Sequence, residues 1–143
     1  MDSLQHSHIV PKMFYNAIKK NSPTGIMRQS SNPNIALQDG LKLPFLCDKC
    51  EELFSKYESC FSKVIYTQTI VNDGEITFDS KNCKDLSYFL LSIAWRALQY
   101  DIENDEMTLT EIEKNELMKI VEQWRLYLYN EDKRSMKKVC KNL

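Results

Sequence analysis

The sequence has few of the features that would mark a membrane or disulfide-rich protein. No apolar run approaches the roughly 18 residues that a bilayer-spanning helix needs, and the N-terminus lacks the charged-then-apolar pattern of a signal peptide. Its 143 residues include only three glycines and four prolines, and its five cysteines are an odd number that cannot all pair internally. In a reducing compartment such cysteines act as metal ligands or pack in the core. We therefore expect a soluble, cytoplasmic protein with no membrane partner.

The charge is nearly balanced but unevenly distributed. A formal net charge of −1 argues against a protein that holds nucleic acid by bulk positive charge. Residues 1–49 are nevertheless mildly basic, and residues 101–116 are acidic. The acidic stretch is typical of a solvated face. The basic segment either is solvated too or contacts phosphates, and the residues that would do so are Lys12, Lys19, Arg28 and Lys42.

Hydrophobic patterning predicts an α+β, mostly helical fold, since a chain of this size with 43% hydrophobic residues can bury one core. Apolar residues at helical spacing predict helices over 11–20, 48–62, 84–100 and 110–129. Turn residues make 21–44 a long loop, with one short extended pair near 26–28 and 35–38. An Asn-Asp-Gly turn among β-branched residues predicts a β-hairpin over 63–78. The two C-terminal helices are expected to pack together.

Two of these helices carry further signals at their ends and faces. Asp48 is expected to cap the 48–62 helix, and either Thr108 with Glu111 or Thr110 with Glu113 forms a capping box before the last one. The apolar stripe predicted for the 48–62 helix is Leu53, Phe54, Tyr57 and Phe61. The core face predicted for the last helix is Ile112, Leu117, Ile120, Val121, Trp124 and Leu128.

Cys47 and Cys50 form a Cys-x-x-Cys pair at the start of a predicted helix. Two thiolates at this spacing can bind one Zn²⁺, and a helix N-terminus stabilises their charge. A complete site needs two more ligands, and the candidates are His6, His8, Cys60, Cys83 and Cys140. Two alternatives remain open, a redox dithiol and reduced cysteines that pack in the core.

His8 is the second candidate centre, just before an aliphatic pair and a proline. In metal-assisted phosphodiester cleavage a histidine deprotonates water while a divalent ion neutralises the phosphate. The residue before it is Ser7, a weak ligand, and His6 lies one step further back. The alternative for His8 is a histidine whose ring nitrogens bond to backbone groups near a strand end.

These motifs, in this order, resemble the bacterial HNH endonuclease-like proteins of the ββα-metal class. The match consists of His-Ile-Val-Pro, a basic helix, an Asn-Pro-Asn and Gln-Asp-Gly loop, and Leu-Cys-x-x-Cys-Glu, and it covers roughly residues 5–60. The resemblance implies that His8 is the general base and that Asn34, or else Asn32, orients it. It also implies that Cys47 and Cys50 supply half of a structural zinc site. We expect an HNH-like region over 1–62 and a hairpin plus helical region over 63–143, together one compact unit.

Departures from the family pattern lead to two hypotheses about function. The family usually has a cysteine pair upstream of the histidine, an acidic residue beside it, and a histidine or asparagine on the following helix. None of these is present here. The first hypothesis is a degenerate HNH-like protein of bacterial or phage origin that binds a nucleic acid or a protein partner, as an inhibitor or regulator. The alternative is a metal-dependent endonuclease in which His6 and Glu52 or Glu58 hold a divalent ion such as magnesium.

The C-terminal helices are rich in aromatic residues, which suit either a core or an interface. As an interface they would form a homodimer. The expected cofactors are a structural zinc ion and a divalent ion, or none.

Overall fold

The computed structural model describes residues 4–66, 80–104 and 107–129. It has an α+β, mostly helical fold. Within the described residues no helix is long and apolar enough to cross a membrane. The elements, in chain order, are β1 (Gln5–His8), α1 (Lys12–Asn21), β2 (Met27–Arg28), β3 (Ala36–Leu37), β4 (Lys42–Leu46), α2 (Asp48–Phe61), a π-helical turn (Ser62–Tyr66), α3 (Ser80–Glu103) and α4 (Glu111–Tyr129).

The first sheet pairs the two ends of the N-terminal segment. β1 lies antiparallel to β4, with His8 opposite Lys42 and Ser7 opposite Leu43, and α2 begins just after β4. The pairing continues past the strand through a hydrogen bond from the Ile9 amide to the Leu41 carbonyl, at 3.2 Å. Two antiparallel strands are therefore followed directly by a helix, and everything between β1 and β4 is a long insertion.

That insertion contains α1 and a small hairpin. Helix α1 begins at Lys12, directly after Pro11, whose fixed φ suits a helix start. β2 and β3 pair antiparallel with Met27 opposite Leu37 and Arg28 opposite Ala36, which confirms the extended pair predicted from sequence. Gly25, with a φ of 66°, turns the chain into β2.

Helix α2 carries the predicted apolar stripe but begins differently from the prediction. Leu53, Phe54 and Tyr57 are buried. The capping residue is Cys47 rather than Asp48, because the Cys47 thiol accepts from the Cys50 amide at 3.4 Å. The sequence could not show this, since a thiol is a weak acceptor and the carboxylate beside it is the usual capping group.

The β-hairpin predicted over 63–78 is wrong at its start. Residues Ser62–Tyr66 are π-helical and extend α2. The remainder of that prediction, including its Asn-Asp-Gly turn, lies outside the described residues. The β-branched residues at 64 and 65 suit a strand locally, but their neighbours in the chain are already helical, and tertiary context overrides such a propensity.

The two predicted C-terminal helices are present and contact each other. Thr110, not Thr108, caps α4: its hydroxyl oxygen accepts from the Glu113 amide at 3.4 Å, and its own amide donates to the Glu113 carboxylate at 2.9 Å. The predicted core face of α4 is only partly right. Val121 and Leu128 are buried, but Ile112 is 77% exposed and Ile120 is 38% exposed. Helix α4 therefore buries its C-terminal half more than its start.

One hydrophobic cluster joins the N-terminal sheet to the three longest helices. Trp95 of α3 is 1% exposed and packs between Phe45 of β4 and Phe54 of α2, with ring centroids 5.9 Å and 5.8 Å away. Helix α4 reaches α2 through a hydrogen bond from the Tyr57 hydroxyl to the Leu128 carbonyl, at 3.0 Å. This core holds β1, β4 and α2 in place and so positions the residues around His8.

Candidate functional site around His8

His8 lies at the end of β1, on the sheet face that α2 does not cover. Its strand partner Lys42 projects from the same face, because directly opposed residues of an antiparallel pair share a side. Ser7 projects from the other face, is fully buried, and donates to the Glu51 carboxylate of α2 at 2.6 Å. The alternation of the strand thus fixes Ser7 against the helix and leaves His8 beside a lysine.

The imidazole of His8 lies against a carboxylate from the long insertion. Its Nε2 atom is 3.1 Å from Oδ2 of Asp39, and Lys12 Nζ is 3.7 Å from the same oxygen. The two groups are close enough to interact, although the ring nitrogen makes no hydrogen bond of good geometry. Asp39 is the one acidic residue between residues 4 and 46. The only carboxylate within residues 4–46 therefore lies at His8.

The surroundings of Asp39 favour its ionised form. Desolvation, the largest single influence, raises its pKa, but the contacts with His8, the Gly40 amide and Lys12 together hold that pKa below its ordinary value. The Gly40 amide donates to Oδ1 at 3.0 Å, so both carboxylate oxygens have partners. An ionised carboxylate at this place can orient the His8 ring.

At the same site the Tyr15 ring lies directly against Gly40, with no space for a Cβ atom on that residue. A Cβ at Gly40 would overlap the Tyr15 ring, so only glycine allows this approach. Burial raises the pKa of the Tyr15 hydroxyl, a backbone hydrogen bond at Leu41 lowers it, and the Asp39 charge raises it again. The ring centroids of Tyr15 and His8 are 6.3 Å apart. Helix α1 is thereby fixed over the Gln-Asp-Gly loop.

Arg96 of α3 is a residue of this site that the sequence reading missed. It is 2% exposed, and its Nη1 donates to the His8 carbonyl at 3.0 Å while its Nη2 meets Glu58 of α2 at 3.0 Å. The guanidinium also lies 5.3 Å from the centre of the Phe54 ring. The signal was available, since Arg96 is the one charged residue in an otherwise apolar stretch of the 84–100 helix, and a buried charge needs partners.

The cysteine pair occupies the core side of the sheet rather than the His8 face. Cys47 is 5% exposed and Cys50 is fully buried. His6 is exposed and shares the strand face of His8, so the structure does not bring it to the two thiols. In the part of the chain that is described, no three His, Cys, Asp or Glu side chains converge as a metal-binding group.

The other predicted site residues are spread along the insertion. Lys19 donates to the Gln38 carbonyl at 2.9 Å, and Arg28 donates to the Pro33 carbonyl at 2.9 Å. The backbone N–H of Asn34 donates to Asn32 Oδ1 at 3.2 Å, a contact within the β2–β3 turn. The hydrogen bonds of Asn34 are thus local to the hairpin.

A cleft of about 860 Å³ opens beside the His8 face, between α1, the β2–β3 hairpin and the Gln-Asp-Gly loop. We call it the α1 cleft. Its walls are Tyr15, Ile18, Ile26 and Leu37, and Arg28 and Asp39 also line it. Asp39 therefore touches His8 on one side and the cleft on the other.

Comparisons with known proteins do not add to this geometry. No family model, curated protein or solved structure matches the chain.

Proposed function

We propose that this chain is a degenerate HNH-like protein that binds nucleic acid through the His8 face, which we define as His8, Lys12, Asp39 and Lys42. The observation that carries the proposal is the pairing of His8 with Lys42 at the end of the strand. The carboxylate at this place, Asp39, already contacts His8 and Lys12. Lysines left beside such a pair can attract phosphates.

The charge of the whole segment supports this role. Residues 4–46 contain five lysines or arginines, Lys12, Lys19, Lys20, Arg28 and Lys42, against one acid, Asp39, a formal charge of +4. Helix α2 behind the sheet carries Asp48, Glu51, Glu52 and Glu58 against Lys49 and Lys56. Basic side chains therefore outnumber acidic ones on the segment that carries His8, in a nearly neutral protein, which favours a directed contact over bulk attraction.

The ββα order of β1, β4 and α2 supports the HNH-like part of the proposal. His8 stands at the end of the first strand, and the helix follows the second strand directly. The position of Cys47 and Cys50 in the core suits a scaffold that uses them for packing and capping.

Binding can be measured by fluorescence anisotropy with labelled duplex DNA, single-stranded DNA and RNA over a range of salt concentrations. We expect affinity to fall as salt rises, and Lys42→Gln to weaken binding and reduce the magnitude of the salt slope by about 1, since each neutralised phosphate releases counterions. Lys119→Gln on α4 is the matched control, an exposed lysine paired with Glu116. Equal effects of the two substitutions, or no binding at all, would refute the proposal and direct the search to a protein partner.

The contact between His8 and Asp39 favours endonuclease activity as a second candidate function. A carboxylate beside a histidine can orient the ring so that it takes a proton from water. Plasmid nicking in the presence of Mg²⁺, Mn²⁺ or Ni²⁺ tests this, with His8→Ala and Asp39→Asn as variants. Nicking that His8→Ala abolishes would establish cleavage; nicking that survives it would assign the activity to a contaminant.

The zinc expectation can be tested on the same preparation by elemental analysis. One zinc per chain, lost on Cys47→Ser, would require further ligands from beyond the described side chains, for which Cys83 and Cys140 are candidates. Protein that is free of zinc and folds normally would assign Cys47 and Cys50 to the core.

A further inference from the structure

We propose that the α1 cleft receives an unpaired nucleobase, so that the preferred ligand of the His8 face is single-stranded rather than duplex nucleic acid. This inference rests on the proposed function and names its substrate class. It depends on a different set of residues, the apolar walls of the cleft rather than the lysines beside His8.

The cleft presents apolar surface that the fold itself leaves uncovered. Ile18 is 55% exposed, Ile26 is 42% exposed and Leu37 is 37% exposed, although all three line one concave site. Isolated exposed apolar residues are ordinary in proteins, but several that converge on a cleft mark a binding site. A volume of about 860 Å³ is also within the range of small-molecule sites.

The cleft is shaped and held by contacts that depend on close packing. Gly40 lies directly against the Tyr15 ring, and Lys19 fastens α1 to the loop by its bond to the Gln38 carbonyl. These contacts join two of the cleft walls without help from a ligand. A pre-formed apolar site binds a flat ring with little loss of conformational entropy.

The charges at the cleft select a nucleotide over an apolar peptide. Arg28 lines the cleft with one of its N–H groups committed to Pro33, which leaves other donors for a phosphate or a base edge. Asp39, the one acid of the lining, is matched by His8 and Lys12 and so presents little net repulsion. Single-strand binding sites combine such a basic track with apolar or aromatic contacts to splayed bases.

The α1 cleft adjoins the His8 face, so one bound strand can contact both surfaces. Asp39 belongs to both surfaces, so a strand whose phosphates meet Lys12 and Lys42 has the cleft beside it. A duplex holds its bases in the stack and cannot fill the cleft unless one is extruded, which costs unpairing energy. The structure therefore predicts a preference for single strands.

The test compares labelled single-stranded and blunt duplex DNA of one sequence by fluorescence anisotropy, for the wild-type protein, Ile18→Gln and Ile112→Gln. Ile18→Gln removes the apolar contact while it keeps helix propensity and the net charge. Ile112→Gln is the matched control, since Ile112 is an exposed isoleucine on α4. We expect Ile18→Gln to weaken single-strand binding about tenfold, through the loss of apolar surface that the base would cover, and to leave duplex binding and the salt slope unchanged.

Three outcomes would overturn the inference, and they differ from failure of the proposed function. Equal affinity for single strands and duplex, or equal effects of Ile18→Gln and Ile112→Gln, would show that no base occupies the cleft, although the protein still binds phosphates. A shift from dimer to monomer on Ile18→Gln in sedimentation would assign the cleft to a second copy of the chain. Absence of binding to both single strands and duplex, or binding that is insensitive to Lys42→Gln, would refute the proposed function itself.

A photocrosslink gives an independent readout. Single-stranded DNA that contains 5-iodouracil should crosslink to Tyr15, the aromatic wall of the cleft, and Tyr15→Leu should remove the adduct. Crosslinks confined to aromatic residues of α4, such as Tyr127, would contradict the placement.

Discussion

The Nη1 atom of Arg96 donates to the backbone oxygen of His8 at 3.0 Å, a contact that joins the middle of α3 to the end of β1. The same guanidinium meets Glu58 of α2, so one buried cation ties together the strand and the two helices. The candidate site is therefore built on the core, and its geometry depends on a residue that does not itself lie on the His8 face.

Arg96→Met should be among the most destabilising single substitutions at the site. It keeps an apolar stem of similar length but leaves the His8 carbonyl and the partly buried Glu58 carboxylate without their cation. We expect the free energy of unfolding to fall by about 3 kcal/mol, near the lower end for a broken buried pair because Glu58 is partly exposed. Urea denaturation measures the loss.

Arg125→Met on α4 is the control for this prediction, because Arg125 also pairs with a glutamate, Glu122, at 2.6 Å, but the Glu122 side chain is 52% exposed. That pair should contribute about 0.5 kcal/mol. Equal losses for the two arginine variants would show that burial of Arg96 has no energetic consequence.

Gly40→Ala should destabilise the protein through Tyr15. The added Cβ would overlap the ring, so the Tyr15 side chain, α1 or the loop must move, at a cost of about 1–3 kcal/mol. Tyr15→Ala should make Gly40→Ala nearly neutral, because the ring that clashes is gone. Thermal unfolding of the two single variants and the double variant gives the coupling.

Gly25→Ala serves as the comparison within this set. A Cβ there meets no atom within 4 Å, but the φ of 66° disfavours any side chain, at a cost of about 1 kcal/mol. This loss should be the same with and without the Tyr15 ring. Coupling between Gly25 and Tyr15 as strong as that of Gly40 would disprove the steric account.

The Asp39 carboxylate should make stability depend on pH in the acid range. Its folded pKa is below its ordinary value, so its stabilising contribution is fully present above that ordinary value and is lost as the pH falls through the folded pKa. Asp39→Asn removes this contribution. The stability difference between the wild-type protein and Asp39→Asn should shrink as the pH falls below about 4.

Denaturant unfolding at a series of pH values measures this difference, and Asp48→Asn, an exposed carboxylate on α2, is the control. If this stability difference increased as the pH fell, the fold would be stabilising the neutral form of Asp39 instead.

Thr110→Ala should weaken the start of α4. The Thr110 amide and hydroxyl both donate to Glu113, and these bonds hold the pKa of the Glu113 carboxyl below its usual range. Loss of the cap should lower the free energy of unfolding by about 1 kcal/mol. Thr108→Ala, two residues earlier and also exposed, should have almost no effect. A larger loss for Thr108→Ala would place the cap at the other of the two positions that the sequence allows.

The sequence by itself determined the features that depend on near neighbours. The helices at 12–21, 48–61 and 111–129 follow from apolar spacing and end signals within a few residues, and the small β2–β3 pair follows from its turn residues. The basic character of the N-terminal segment is likewise a property of composition. In each case the governing interactions are local, so they can be read without knowledge of the fold.

Tertiary structure decided the features that join distant parts of the chain. Arg96 and His8 are 88 residues apart, and nothing in either local pattern specifies their contact. The meeting of Asp39 with His8 depends on how the long insertion closes. The exposure of Ile112 and the capping role of Cys47 depend on which neighbours arrive. Such contacts form only when the packed core brings separate elements together. The sequence therefore indicated which kinds of residue the site contains, but not which of them contact each other.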